Sequence, residues 1–312
     1  MNDPLDCLVI GGGPAGLTAA IYLARFHLEV CVIDAGDGRA ALIPMTRNHA
    51  GFPDGIAGAE LLRRMQDQAA RYGAIYQRGT VHAVRKDHDI FVATTADGEV
   101  RARSVLLATG VVNNRPDIDG ALHDDALRRG LLRYCPICDG YELTDRPVGV
   151  VGTGEHGTKE ALFVRSFTAD LSLISPETAH ELTPLHAAAL AEAGVRLVEG
   201  PCLKFVLADD HIKIDVPAGE HVFASIYLAL GSIIRSDLAV RLSANTTDEG
   251  CLVVDAHQRT SVAGLYAAGD VVQGLDQISH AMGEGGVAAT TIRNDLAQRT
   301  PLRRTVQGFD PA

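Results

Sequence analysis

The 312-residue chain has no surplus of positive charge: 28 Lys and Arg against 39 Asp and Glu give a formal net charge of −11. Such a chain cannot neutralise a phosphate backbone, which argues against nucleic acid as a partner and fits a small folded protein or a small molecule. No apolar run approaches the ~18 residues that a spanning helix needs, so no membrane association is expected. The opening Met1-Asn2-Asp3-Pro4 is acidic and leads directly into an apolar run. It lacks the charged n-region and apolar core of a signal peptide, and the cytoplasm is the expected compartment. Structural disulfides are rare there. Among the six cysteines, Cys7 and Cys31 fall in predicted strands, and Cys202 and Cys251 stand alone. These read as small buried residues. Only Cys135 and Cys138 are spaced for chemistry. A zinc site would need a second Cys-x-x-Cys or a His pair, and none follows at suitable spacing, so no metal is expected.

What is present is a dithiol between two glycine-rich turns. Cys135-Pro136-Ile137-Cys138 is followed at once by Asp139-Gly140. Two thiols at this spacing can close and reopen a small disulfide ring: one attacks an external disulfide, the other resolves the mixed disulfide. With Pro136 at the first helical position, Cys135 would stand at an N-cap, where backbone N–H groups lower a thiol pKa. Upstream lies Gly11-Gly12-Gly13-Pro14-Ala15-Gly16, downstream Gly152-Thr153-Gly154-Glu155-His156-Gly157.

The first turn has its full context. An apolar strand at 5–10 precedes it, a helical pattern over 14–25 comes after it, and a strand at 29–34 ends on Asp34. In such a βαβ unit Gly11 makes the tight turn, Gly13 lets backbone approach a pyrophosphate, and Gly16 lets helix pack on strand. The helix N-terminus meets the phosphates, and Asp34 accepts the ribose hydroxyls. A helix at 59–72 and strands near 80–85, 90–95 and 99–103 come next. The strand starting at Ser104 ends at Thr109-Gly110, where backbone can again pass a cofactor. A second βαβ unit opens at 147, with helix 159–167, strand 171–174, helix 184–193 and strands near 195–199, 203–208, 211–216 and 226–230. Strands at 252–255 and 265–268 and a helix at 277–299 close the chain. The expected fold class is α/β, with two Rossmann-like three-layer domains, the second inserted into the first. The boundaries fall at 1–114 plus 244–312 and at 115–243, with hinges near 113–118 and 231–245.

The chain resembles the low-molecular-weight thioredoxin reductase family of flavoproteins over nearly its whole length. The resemblance rests on Gly11–Gly16, Asn48 with Gly51-Phe52-Pro53, Ala108-Thr109-Gly110, Cys135–Gly140, Ala267-Ala268-Gly269-Asp270-Val271 and Gln277-Ile278-Ser279. It implies FAD on the first and last segments, the dithiol and a nicotinamide nucleotide on the inserted domain, and a homodimer. It makes Cys138 the thiol facing the flavin, Cys135 the interchange thiol and Asp139 the acid that protonates the leaving thiolate. Acting so near neutrality requires a raised Asp139 pKa. Asp270 would bond the ribityl and phosphate region, Gln277 and Ile278 would lie under the isoalloxazine, Asn48 would stand on the flavin side and Val81 near adenine. Pro14, Ala15, Arg39 and Gly269 complete the implied FAD set.

One stretch departs from the family. After strand 171–174, NADPH-using members carry a His-Arg-Arg type cluster whose guanidiniums pair with the 2′-phosphate. Here Ser175-Pro176-Glu177-Thr178-Ala179 has no cation, and Glu177 would repel a phosphate. The loop after Gly231, Ser232-Ile233-Ile234-Arg235, also lacks the family's usual Pro-Asn. NADPH is therefore not the expected donor. NADH, with Glu177 on the ribose, a second flavin and ferredoxin stay open, and so does a dithiol oxidase running in the opposite direction. Gly152, Gly154 and Gly157 either hold a ligand or serve packing. The expected partner is a thioredoxin-like protein or a small disulfide; a flavin-binding redox sensor is the non-enzyme alternative.

Overall fold

A computed structural model describes residues 3–302. Met1, Asn2 and residues 303–312, the extreme ends of the first predicted domain, lie outside the described residues. By contacts the chain forms two compact units. One comprises residues 1–38, 62–111 and 234–312, the other 39–61 and 112–233.

In the first unit, five parallel strands stand in the order Leu265–Ala267, Val105–Leu107, Cys7–Ile10, Val30–Asp34, Ile75–Arg78. The run Cys7–Ile10 is buried at every position, as a central parallel strand covered on both faces must be. Helix Pro14–Arg25 packs on the long helix Ile278–Arg299 through small residues. A Cβ on Gly285 would drive into the Ala15 carbonyl, so this glycine sets how closely the two helices meet. A three-stranded antiparallel meander, Val81–Asp87, Ile90–Thr95 and Gly98–Ala102, completes the unit.

The second unit repeats the plan. Its parallel sheet runs Arg196–Val198, Leu171–Ile174, Val148–Val151, Ser225–Leu228, Leu132–Arg133. Its meander is Lys204–Leu207, Ile212–Val216 and Gly219–Phe223. Two Rossmann-like α/β layers in one chain are thus present, as the paired glycine turns implied.

Local expectations fail where side chains compete for the backbone. The strand expected at 252–255 does not form: Leu252 makes only isolated bridges, to Thr246 and Val272. Asp255 instead turns the chain, its Oδ1 accepting from the N–H groups of His257 at 2.8 Å and Arg259 at 2.9 Å. The helix expected at 159–167 spans Gly154–Val164, because the glycine turn feeds straight into it from the Thr153 N-cap. The strand from Ser104 covers only Val105–Leu107 before the turn, and Val111–Asn113 is separate. A helix not anticipated, Gly120–Arg128, starts at Asp119, whose carboxylate accepts from the N–H groups of Ala121 and Leu122.

Candidate functional site

The first glycine turn joins strand Cys7–Ile10 to helix Pro14–Arg25. Gly11 has φ +108°, and a Cβ there would drive into the Ala108 carbonyl. Gly13 is the N-cap, with Pro14 at the first helical position and no side-chain cap bond. Nothing lies within 4 Å of where a Gly13 Cβ would stand, so the helix N-terminus opens on free space. Asp34, at the end of the next strand, reaches back: Oδ1 accepts from Gly12 N–H at 3.0 Å and Oδ2 from the Tyr76 hydroxyl at 2.6 Å. Gly269 has φ +78°, and its N–H donates to Glu284 Oε2 at 2.7 Å, fixing the turn that leads into Asp270. Burial raises the Glu284 carboxyl, with the Asp270 charge adding to it. Gln277 caps the long helix that Ile278 begins. Thr109 donates to Arg235 O at 2.6 Å beside Gly110 at φ +63°, and Val81 opens the meander. An open helix end, a close-approach glycine and a strand-end carboxylate fit the pyrophosphate and ribose of FAD. Tyr76 and Glu284 were not singled out in the sequence, because neither belongs to a glycine motif.

The dithiol lies in the second unit. Cys135 and Cys138 are disulfide-bonded, with Cα atoms 5.3 Å apart. Cys135 is the N-cap of the short helix Pro136–Asp139, with Pro136 at its first position. The Cys138 N–H donates to Cys135 O at 3.0 Å, and Gly140 N–H to Pro136 O at 2.9 Å. Two groups absent from the motif hold Asp139. Arg133 Nη1 sits 2.7 Å from Oδ2, and the Tyr227 hydroxyl donates to Oδ1 at 2.8 Å. Burial pushes the Asp139 carboxyl up, against the pull of Arg133 and Tyr227, with the nearby Glu142 charge adding to the rise. Glu160, on the packed helix Gly154–Val164, is raised by burial and by Asp139 to about 7. The Tyr227 phenol is pushed well above its ordinary value by burial and by the Asp139 charge. Both partners have a signal that could have found them: a phenol and a guanidinium set in the buried runs Ser225–Leu228 and Leu131–Arg133.

Segment 39–61 contributes to this unit. Asn48 Nδ2 donates to Ile137 O, inside the dithiol turn, at 3.2 Å. Arg47 Nε pairs with Glu142 Oε1 at 3.2 Å. Arg39 begins a 3-10 turn and donates to Asn113 Oδ1 at 3.3 Å. The other cysteines are poor nucleophiles: burial pushes the Cys7 thiol up to about 12 and Cys202 to about 11.

The second glycine turn is built differently. A Cβ on Gly152 would crowd Ala229 O at 2.9 Å, and one on Gly157 would meet Gly152 C at 2.7 Å, so both serve packing. Gly154 has φ +62°, with Glu181 O at 3.7 Å from its Cβ position. The loop after strand Leu171–Ile174 folds back here: Ser175 donates to Ala179 O at 3.0 Å, and Glu181 N–H donates to Thr153 Oγ1 at 2.7 Å. Glu177 is exposed, and its carbonyl closes over Gly200. Arg165 caps the far end of the Gly154–Val164 helix, donating to Ala193 O at 2.6 Å, away from the turn.

The profile of the pyridine nucleotide-disulphide oxidoreductase family matches residues 5–285. The chain belongs to this family. Thioredoxin reductases of Mycolicibacterium smegmatis (30% identical, covering 94% of this chain and 97% of the relative) and Streptomyces coelicolor (32%, 87% of each) are similar to it in sequence. Similar solved structures are HlmI (TM-score 0.86, 29% identical, 95% and 93% covered) and the thioredoxin reductase of Streptococcus pyogenes (0.86, 28%, 96% and 100%). The chain is a thioredoxin reductase-like, FAD-dependent disulfide oxidoreductase. No described helix is long and apolar enough to cross a membrane.

Proposed function

We propose that the chain passes electrons between FAD on the first unit and an external disulfide through Cys135 and Cys138, and that its electron donor is not NADPH. The observation that carries the dithiol reading is the Asp139 carboxyl gripped by Arg133 and Tyr227 one residue from Cys138. FAD, when bound, supplies or accepts two electrons at a time. Gly11, Gly13, Pro14, Ala15 and Gly16 would hold its pyrophosphate, Asp34 its adenosine ribose and Asp270 its ribityl-phosphate region, and Val81, Thr109, Gly110, Gly269, Gln277 and Ile278 would complete the set. Arg39 and Asn48, which the resemblance also implies for FAD, cluster with the dithiol unit instead, on Asn113 and on the Ile137 carbonyl.

In the reduced protein the Cys135 thiolate attacks one sulfur of the external disulfide. The Cys135–substrate bond forms, the substrate S–S bond breaks, and the leaving thiolate takes the proton held on Asp139. Cys138, as thiolate, then attacks the Cys135 sulfur, releases the second substrate thiolate and restores the 135–138 disulfide. The external disulfide gains two electrons and the dithiol loses two. The substrate class is a thioredoxin-like protein or a small disulfide.

The donor reading rests on the loop after Leu171–Ile174. A 2′-phosphate needs paired cations when partly buried. Ser175 to Leu182 contains no Lys or Arg, and it carries Glu177 and Glu181. NADH with Glu177 on the ribose is one donor consistent with this; a second flavin or ferredoxin is the other. The inserted segment 115–243 is the unit that meets the donor, and the protein acts as a cytoplasmic homodimer. Anaerobic titration of the yellow protein with NADPH, NADH and dithionite, following flavin bleaching, tests the donor. A colourless preparation that cannot be reconstituted with FAD refutes the flavin assignment.

A further inference from the structure

Beside the dithiol, Arg133 makes more contacts than an ion pair requires. Its side chain is 16% exposed, in a two-residue strand at the sheet edge. Nε donates to Gly130 O at 3.0 Å and to Ser225 Oγ at 3.2 Å. Nη1 lies 2.7 Å from Asp139 Oδ2 and 3.4 Å from the Asp139 carbonyl. Ser225 Oγ in turn donates to Gly130 O at 2.9 Å. One end of the guanidinium is therefore tied to the sheet, and the other reaches both the side chain and the backbone of the residue that ends the dithiol helix.

We propose that Arg133 is the positioning residue of the dithiol site: anchored on Ser225 and Gly130, it holds the Asp139 carboxyl in one orientation and supplies the charge that receives the carboxylate left after proton transfer. This rests on the reading of Asp139 as the proton donor. Without a cation, a carboxyl in this setting would keep its proton too tightly. Tyr227 only donates a neutral hydrogen bond, and Glu142 and Glu160, the other charged groups facing Asp139, both oppose its ionisation. Transfer of the proton from Asp139 to a thiolate moves one negative charge toward Arg133. The fixed guanidinium needs no reorganisation to receive it.

The test reads the Asp139 proton directly. In the FAD-loaded protein, the infrared carboxylic-acid band that Asp139→Asn removes is followed against pH, with Glu160→Gln identifying the neighbouring band. Arg133→Gln should raise the midpoint for loss of the Asp139 band by about one pH unit, tenfold in proton affinity. Arg133→Lys keeps the charge with poorer geometry and should raise it by about threefold in affinity. Ser225→Ala, which removes one of the two anchors and leaves the Gly130 carbonyl, should raise it by less than Arg133→Lys does. The rate of exchange of the reduced protein with the aromatic disulfide 5,5′-dithiobis(2-nitrobenzoate) should move along the pH axis in the same order. An unchanged midpoint in Arg133→Gln overturns the proposal. If that variant loses FAD, Arg133→Lys carries the test, and an unchanged midpoint there overturns it too. If Asp139→Asn removes no band and does not slow exchange, the Asp139 reading itself fails, and Arg133 with it.

Discussion

The two glycine-rich turns share a backbone plan and differ in what surrounds them. In the first, the helix N-terminus faces open space at Gly13, and the strand-end carboxylate Asp34 folds back onto the turn at Gly12. In the second, the succeeding loop closes on the turn through Glu181 N–H and Thr153, and the carboxylate Glu177, three residues past the strand, stands exposed. Gly11 and Gly16 of the first turn and Gly152 and Gly157 of the second all face protein backbone where a Cβ would stand. A glycine fingerprint is therefore two signals in one: close packing of strand, turn and helix, which both turns keep, and an approachable anion cradle, which needs the space beyond the turn as well.

The largest effect expected from this contrast is at the first turn. Gly11→Ala and Gly16→Ala each drive a Cβ into backbone carbonyl oxygen, Gly11 at φ +108° besides. Each should cost about 2–3 kcal/mol or more and yield protein without flavin, seen as loss of visible absorbance and a lower melting temperature. Gly13→Ala has room and should fold normally, so that any loss of FAD there reports on the cradle alone. Retention of FAD by Gly16→Ala would break the comparison.

Next in size, Asp139→Asn should slow dithiol exchange by about 10²-fold at neutral pH while leaving flavin content unchanged, since the carboxyl serves the second unit only. Stopped-flow exchange with an aromatic disulfide checks it. Smaller again is the donor effect. Wild-type protein should not be bleached rapidly by micromolar NADPH, and Glu177→Arg should raise the NADPH rate by about tenfold by placing one guanidinium near the phosphate. Rapid bleaching of the wild type by micromolar NADPH would overturn the donor proposal.

The smallest effect contrasts the pH response of the units. Glu160 in the second is raised to about 7 by burial, above its unfolded value. Its contribution is whole below about pH 4 and is lost as pH climbs through about 7, a change on the order of 1–2 kcal/mol after allowance for partial exposure. Glu160→Gln should flatten that decline in melting temperature between about pH 4 and 7. In the first unit Asp295 is held below its ordinary value by Arg259, and Tyr266 also donates to it at 2.8 Å. Its contribution is present above the unfolded pKa and is lost as pH falls through the depressed folded value, the opposite sign. Asp295→Asn should reduce the acid sensitivity of melting and leave the alkaline side alone.

Much of the fold was legible because its signals are local. Buried parallel strands such as Cys7–Ile10 and Leu171–Ile174 are short apolar runs bounded by turns, and the spacing of those runs marks both within a residue or two of their observed ends. The strand expected at 252–255 failed because Asp255 captures two backbone N–H groups of its own turn, a competition that apolar spacing does not reveal. Of the dithiol site, Cys135, Cys138 and Asp139 were readable from adjacency. Arg133 lies six residues before Asp139 and Tyr227 eighty-eight after it, and neither belongs to a motif.

The sequence by itself determined the features that depend on neighbours along the chain: a dithiol able to close a ring, two βαβ turns that need glycine, and a loop after the second turn with no cation for a phosphate. Only the tertiary structure decided which turn is open and what grips Asp139. Both depend on residues far apart in the chain meeting across a sheet. Arg133 and Tyr227 stand on paired neighbouring strands, and this register brings a guanidinium and a phenol to the same carboxyl. Pairing across strands is set by the packing of the whole unit, so the environment of Asp139 belongs to the fold, whereas the presence of Asp139 belongs to the motif.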